Sequence, residues 1–328
     1  MIDLRAAARR AAFFLVVAAI VVALILKLPG VGEIRDRLSD ATHGWIVLAA
    51  LCSLASMLGY VRALWSAFDR RLPWRRAFVI GMAEQGANVL LPAGGAGGPA
   101  LGAFVMTRLG VPASLAASRH AALFLITSAD NFGALVVFGT LVSAGVLAGD
   151  VPLVATLLPA AGAALVIGLA LAFALADAPV EPDGGRLRHA LWRAHRFVHD
   201  GAATSVDLLR GGHAFLIFGA TCYFAFDVAA LACAFQAFGG GAPPLGLFVM
   251  AYALGLAGAM LPTPGGVGGT EGGLIGMFVA YGTPIDLAVA AVLAYRVFQL
   301  GLPAILGAVC LLRIRHLLAH PPRDEIFS

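Results

Sequence analysis

Charge is scarce in this chain, and lysine is almost absent. Only 12% of its 328 residues are Asp, Glu, Lys or Arg, against roughly 25% in a soluble domain. Lys27 is the single lysine. The four cysteines, Cys52, Cys222, Cys233 and Cys310, all fall inside apolar runs at no metal-ligand spacing. They read as small core residues, and no disulfide framework is implied. The chain has no GxxxxGKS/T phosphate loop, no GxSxG elbow and no HExxH helix. It therefore does not consume ATP by that route, and no enzyme, cofactor or metal site is expected. What abounds is apolar matter: 60% of the chain is hydrophobic, 40 residues are glycine, and mean hydropathy is +0.91. A water-soluble globule is excluded, and a multi-pass helical protein of a lipid bilayer is expected.

About 20 apolar residues cross the hydrocarbon core as a helix. The runs that fit are 11–28, 45–68, 121–148, 153–176, 213–238 and 285–312. The first follows Arg5, Arg9 and Arg10 and lacks a small-x-small cleavage site, so an uncleaved helix is expected. Residues 113–148 leave two readings open, one span or two short helices broken near Asp130-Asn131-Phe132-Gly133. With one span there, 18 of the 22 basic residues fall on one side of the membrane. That side is then cytoplasmic, and both termini lie on it. In such a chain the net charge of +4 orients helices and touches anionic lipid; it does not suggest nucleic acid.

Two stretches, 77–109 and 245–282, break the pattern. Each reads as a short apolar helix, a Pro/Gly-rich break and a second short helix. Irregular backbone at membrane depth is tolerated only where protein or a watery cavity covers it, so both are expected to be re-entrant hairpins. They also match each other. Leu91-Pro92 precedes Gly94-Gly95-Ala96-Gly97-Gly98, and Leu261-Pro262 precedes Gly265-Gly266-Val267-Gly268-Gly269; Gly102 then matches Gly273, and Gly110-Val111-Pro112 matches Gly282-Thr283-Pro284. The expected architecture is an all-α inverted-topology repeat. Residues 1–148 form the first half around hairpin 77–109, and 149–328 form the second around hairpin 245–282.

Each ionisable residue at membrane depth is a functional candidate. Glu84 and Asn88 share one helix face just ahead of the first break, beside Gln85. Glu271 follows the second break, and Arg296 lies on the next helix with Tyr295 and Gln299. Arg119, Asp130, Asn131 and Asp227 are secondary candidates. Backbone N–H groups of the two glycine breaks, with the positive ends of the helices that follow, favour phosphate or carboxylate. Arg296 adds a forked cationic donor set. Glu84 and Glu271 then balance the arginine, receive a cationic headgroup or carry a proton. Alternatives stay open: Glu271 and Arg296 also fit a structural ion pair, and Asp130, Asn131 and Asp227 also fit bonds to neighbouring helices.

The loop 177–212 holds an amphipathic segment, 186–200, with Leu187, Leu191, Ala194 and Val198 on one face. It is expected to lie on the anionic cytoplasmic leaflet. His195 and His199 are four apart but lack further spaced ligands, so no metal site is expected there.

The segments LPAGGAGGPALGAFVMTRLG, LFLITSADNFGAL, LPTPGGVGGTEGGLIGMFVAYG and VLAYRVFQLGLP resemble the transmembrane flippase-like family. That family is the membrane portion of lysylphosphatidylglycerol synthases, also found as stand-alone bacterial membrane proteins. The resemblance covers essentially the whole chain and implies movement of a lipid across the bacterial inner membrane. It points to Pro262, Gly265, Gly266, Gly268, Glu271, Tyr295 and Arg296. Only 16 residues follow the last apolar run, so no soluble synthase part is expected, and Pro99-Ala100 stand where many members carry charged residues. The expected ligand is a membrane phospholipid or polyprenyl-linked lipid. Two alternatives are a lipid-modifying enzyme using Glu84, Asp130 or Glu271, and an accessory subunit docking a separately encoded lipid synthase or glycosyltransferase through 186–200.

Overall fold

The computed structural model describes residues 41–91, 96–178, 185–260 and 264–319. The expected first span, residues 11–28, lies outside them, as do Pro92, Gly94 and Gly95 of the first break and Leu261 and Pro262 of the second. The described residues form helices and turns, with no strand among them. In chain order the helices are α1 (His43–Ala67), α2 (Trp74–Leu90), α3 (Gly97–Arg108), α4 (Ala113–Ser143), α5 (Leu153–Leu175), α6 (Arg186–Arg210), α7 (Ala214–Ala237), α8 (Leu245–Gly255), α9 (Gly269–Ala280) and α10 (Ile285–Ala319).

Proline sets half of the helix starts. Pro73, Pro112, Pro152, Pro244 and Pro284 stand immediately before α2, α4, α5, α8 and α10. Proline disfavours a helical residue before it while its own carbonyl is free to open the next helix. The Pro112 and Pro284 carbonyls accept from Ala116 and Ala288 at 2.9 and 3.0 Å. The short helices α3 and α9 end alike, each on a glycine in left-handed backbone: Gly110 has φ 96° and Gly282 φ 88°. A residue and a proline then launch the following long helix.

Five helices, α1, α4, α5, α7 and α10, are long and apolar enough to cross a membrane. The chain is a multi-pass membrane protein. Helix α4 runs unbroken through Asp130 to Gly133 over its 31 residues, which resolves residues 113–148 into one span. At 1.5 Å per residue it is about 46 Å long against a hydrocarbon core of about 30 Å, so it extends past the core. Helices α2, α3, α8 and α9 have 17, 12, 11 and 12 residues, all short of that thickness.

Glycine lets the helices approach. α1 and α7 pack antiparallel: the N–H of Thr42, before α1, donates to Ala237 at the end of α7 (2.9 Å), and the start of α7 meets the end of α1. A methyl group on Gly59 would lie 2.6 Å from the backbone nitrogen of Tyr223, and one on Gly219 2.6 Å from that of Ala63. α2 crosses α10 the same way, a Gly86 methyl group meeting the Cα of Gly307 at 2.6 Å. Without a hydrophobic drive between helices in lipid, such close backbone contact holds them together. Helix α5 lies at the edge of the bundle, with Leu157, Leu158, Leu165, Leu169 and Leu175 exposed; in a bilayer those side chains face acyl chains.

One end of the bundle gathers the basic segments. Asp69, after α1, is gripped by both terminal nitrogens of Arg119 from α4 (3.0 and 3.1 Å) and by His213 Nε2 from before α7 (3.1 Å). Asp69 and Arg70 hold left-handed backbone, φ 54° and 59°, costing roughly 1–2 kcal/mol each. Partial burial alone would push the Asp69 carboxyl up. The hydrogen bonds and charges of Arg119 and His213 outweigh it and hold the carboxyl below the usual carboxylate range.

Helix α6 covers this same end without crossing. Gly201 sits against Ala121 of α4, and His199 Nε2 bonds the carbonyl of Ala176 after α5 at 2.9 Å. The side facing the bundle carries His199, Ala202, Ser205 and Leu208, all buried, whereas Leu191 and Val198 are exposed. Two residues of the apolar face read from the sequence, Leu191 and Val198, are thus turned away from the bundle.

Candidate functional site

The second break forms the densest polar cluster of the bundle. After α8 the chain passes through a 3-10 turn (Leu256–Met260) and a second turn (Pro264–Gly266) before α9. Gly265, Gly266 and Gly268 have φ of 62°, 65° and 86°, values that side chains with a Cβ rarely adopt. This run of left-handed glycines turns the backbone so that the Gly265 carbonyl faces α10 and the Gly268 N–H faces Glu271.

Arg296 is the centre. Only 5% of it is exposed. Its Nε donates to Glu271 Oε1 at 2.7 Å, its Nη2 to the Gly265 carbonyl at 2.6 Å, and its Nη1 to Gln299 Oε1. Glu271 also accepts the Gly268 N–H at 2.6 Å through Oε2, which caps α9 and places the carboxylate at the positive helix end. Gln299 reaches on to Asp227 Oδ2 at 3.5 Å, and that oxygen also accepts from the Tyr252 and Tyr295 hydroxyls at 2.6 and 2.9 Å. One continuous network thus joins α7, α8, α9, α10 and the break.

Arg296 lies eleven residues after Ile285, about 17 Å along α10, within the apolar stretch of that helix that is long enough to cross a membrane. Pro303 in α10 has no N–H for the carbonyl of Gln299, leaving that backbone acceptor free of its usual helix partner. Toward the outside, Val267 is exposed, and methyl groups on Gly268, Gly272 or Gly276 would meet open space.

The first break is built differently. Asn88 Oδ1 accepts the Gly98 N–H at 2.6 Å and so joins the end of α2 to the start of α3. Gln85 donates to the Met57 carbonyl of α1 at 3.2 Å. Glu84 is wholly buried; Tyr60 donates to its Oε2 at 2.6 Å, and His120 Nε2 lies 3.0 Å from its Oε1. Gly97 and Gly98 are buried at the start of α3, and a side chain on Gly98 would strike the Glu84 carbonyl at 2.5 Å. The two breaks approach each other: Gly265 lies beside Val89 of α2 and Leu300 of α10.

Thus Gly265, Glu271, Tyr295, Arg296, Gln299 and Asp227 come together in one network; Gly266, Gly268 and Gly269 supply its backbone. Glu84, Gln85 and Asn88 face other partners. Arg119 belongs to the Asp69 cluster at the bundle end. Asp130 receives only a long bond from Thr221 (3.4 Å), and its Oδ2 and Asn131 Oδ1 have no partner among the described residues. Sequence reasoning missed Tyr60, Tyr252, Asp69 and His213 as partners. Three of the chain's five tyrosines donate to intramembrane carboxylates, and the rule that such acids need donors was the available signal. Among the described residues no three His, Cys, Asp or Glu side chains converge as a metal site.

What this defines is a polytopic helical membrane protein with a guanidinium, carboxylates and turned backbone clustered among its helices. The chain belongs to the family of the lysylphosphatidylglycerol synthase TM region, matched over residues 12–307. No curated protein matches it.

Proposed function

We propose that this protein translocates a phospholipid, or another lipid with an anionic headgroup, across the bacterial cytoplasmic membrane, without ATP hydrolysis by this chain. The observation that carries the reading is Arg296, buried on a membrane-length helix beside a broken backbone. Three of its five N–H donors have partners among the described residues, and a guanidinium with two to spare can fork onto a phosphate oxygen pair. Glu271 and Asp227 bring two carboxylates to one arginine, which suits a headgroup carrying an amine beside its phosphate. The headgroup passes along the protein while the tails stay in lipid, avoiding the cost of bare charge in hydrocarbon.

The architecture proposed for this task is an inverted repeat with two re-entrant pairs, α2/α3 and α8/α9. Several features support it. α1 and α7 pack antiparallel; α2 contacts α10 as α8 contacts α4. The matched glycines Gly102 and Gly273 both sit where their short helix meets its partner. The end carrying Arg70, Arg119 and α6 is assigned to the cytoplasm, with both termini there. A separately encoded lipid synthase is the natural source of the cargo.

The test is reconstitution into liposomes with fluorescent phosphatidylglycerol or its aminoacylated form, followed by bleaching of the outer leaflet. Loss of charged hydrogen bonds worth about 1.5–3 kcal/mol predicts that Arg296→Ala slows exchange about 10- to 100-fold. Equal rates for the native protein and the variant would remove Arg296 from the pathway.

A further inference from the structure

Beneath the first break lies a second buried ionisable site that the lipid reading leaves unused. Glu84 is wholly buried, His120 is 2% exposed and Tyr60 7%. His120 Nδ1 lies 2.8 Å from the carbonyl of Ala116 on its own helix. A carbonyl can only accept, so Nδ1 carries a proton. Tyr60 donates to Glu84 Oε2, so the remaining contact, His120 Nε2 to Glu84 Oε1 at 3.0 Å, needs a proton of its own. That proton sits on nitrogen beside a carboxylate or on oxygen beside a neutral imidazole. In both cases the pair is neutral overall and holds one exchangeable proton. Without it, a carboxylate would face an imidazole lone pair inside the bilayer, leaving a net buried negative charge.

The surroundings keep this proton isolated. α1 contributes Tyr60, with Tyr223 of α7 edge-on behind it at 5.5 Å. α4 contributes His120, while its neighbour Arg119 is drawn away to Asp69. α3 contributes Gly102, where any side chain would strike both Glu84 Oε1 and His120 Nε2. α10, along the other side of α2, has Arg296 committed to the second break, with Cys310 and Arg313 further on. At the matching place in the second hairpin, Gly273 meets the backbone of Gly255, and Leu254 stands where the repeat frame would put Glu84. The proton site belongs to one half alone.

We propose that Glu84 and His120 form a proton-binding site whose loading and release drive the movement of α2 and α3 at the first break. This rests on the transport reading and names the proton as its coupling ion. The proton is sealed from water, so it exchanges only when α3, seated on the pair through Gly102, moves away. Exchange and opening are then linked equilibria.

The experiment uses the full chain in liposomes with two readouts. Infrared difference spectra on a pH step report carboxyl and imidazole protonation without any lipid movement. Over the bands of its exposed groups the native protein gives one buried-site band, carboxyl or imidazole according to where the proton rests; Glu84→Gln removes it, His120→Asn removes or shifts it, and Glu271→Gln retains it. Tyr60→Phe, which leaves the pair intact, keeps the band and moves its midpoint. In the second readout, exchange of fluorescent phosphatidylglycerol changes by up to about tenfold per pH unit on the titrating limb, as one linked proton requires, and Glu84→Gln flattens that profile. A native spectrum identical to that of Glu84→Gln overturns the proposal, and so does native exchange with a flat profile and no buried-site band. A band that vanishes as stated in a protein that moves no lipid upholds the proton site and overturns the transport reading.

Discussion

Arg296 and Glu271 can be separated as ligand or as structure by a paired substitution. Arg296→Met removes the cation and leaves Glu271 facing α10 with its Oε1 bare. Breaking a buried pair by removing one partner costs about 3–5 kcal/mol. Here the lower end applies, because the Gly268 N–H still holds Glu271 Oε2 at 2.6 Å and the Glu271 side chain is 16% exposed. Adding Glu271→Gln removes the stranded charge, and since neutral replacements of an ion pair are often tolerated, the double variant should return to within about 1 kcal/mol of native. Stability is read by reversible unfolding in mixed detergent, and transport by leaflet exchange in liposomes. The expected combination is a stable double variant that exchanges lipid no faster than Arg296→Met alone. A double variant with native stability and native exchange would make the pair a structural strut and refute the headgroup assignment.

Two other outcomes follow from local geometry. Gly59→Ala places its methyl group 2.6 Å from the backbone of Tyr223 and 2.9 Å from the Gly219 carbonyl; since backbone cannot turn aside, α1 and α7 separate, at a cost of about 1–3 kcal/mol, whereas Gly272→Ala, beside open space, leaves unfolding unchanged. Asp69→Asn keeps a residue that tolerates left-handed backbone but loses the charge. Because the folded carboxyl is held below its unfolded value, its stabilisation is full above the ordinary carboxylate pKa and disappears as pH falls through the lower folded value. Acid unfolding curves should therefore flatten in Asp69→Asn, and parallel curves would show that Arg119 and His213 do not stabilise the charge.

The long helices were legible because hydropathy alone decides them: the runs 45–68, 153–176 and 213–238 became α1, α5 and α7 almost residue for residue. The second break was legible through its glycines beside Glu271 and Arg296. The continuity of α4 was not. Asp130-Asn131-Phe132-Gly133 has the composition of a break, yet α4 passes through it. The difference lies in proline: the true breaks carry Leu-Pro as well as glycine, so the helix loses a donor and not only a Cβ. Partner choice was also hidden. Glu84 and Asn88 share a helix face, but Gly102 opens the space that leads Glu84 to His120, whereas Asn88 turns to the Gly98 N–H. Spacing along one helix cannot reveal what the facing helix offers.

The two short-helix pairs use the same glycine frame for different ends, which bears on the mechanism proposed. Gly102 makes room for a carboxylate and an imidazole, so the first pair closes over a polar contact that a proton can make or break. Gly273 meets only the backbone of Gly255, with no ionisable group at the crossing; the charge of the second pair lies instead at its break, where Glu271 and Arg296 stand beside exposed Val267. A carrier with identical halves would bind cargo and coupling ion in both, with nothing to set their order. Dividing the tasks gives one half the cargo and the other the proton. They meet where Gly265 lies beside Val89, at the end of the helix that carries Glu84, and where that helix crosses α10 at Gly86 and Gly307. On the proposed mechanism, movement of α2 on proton release therefore reaches the Arg296 network both at the broken backbone and along α10, which makes those two contacts the place where the two functions are joined.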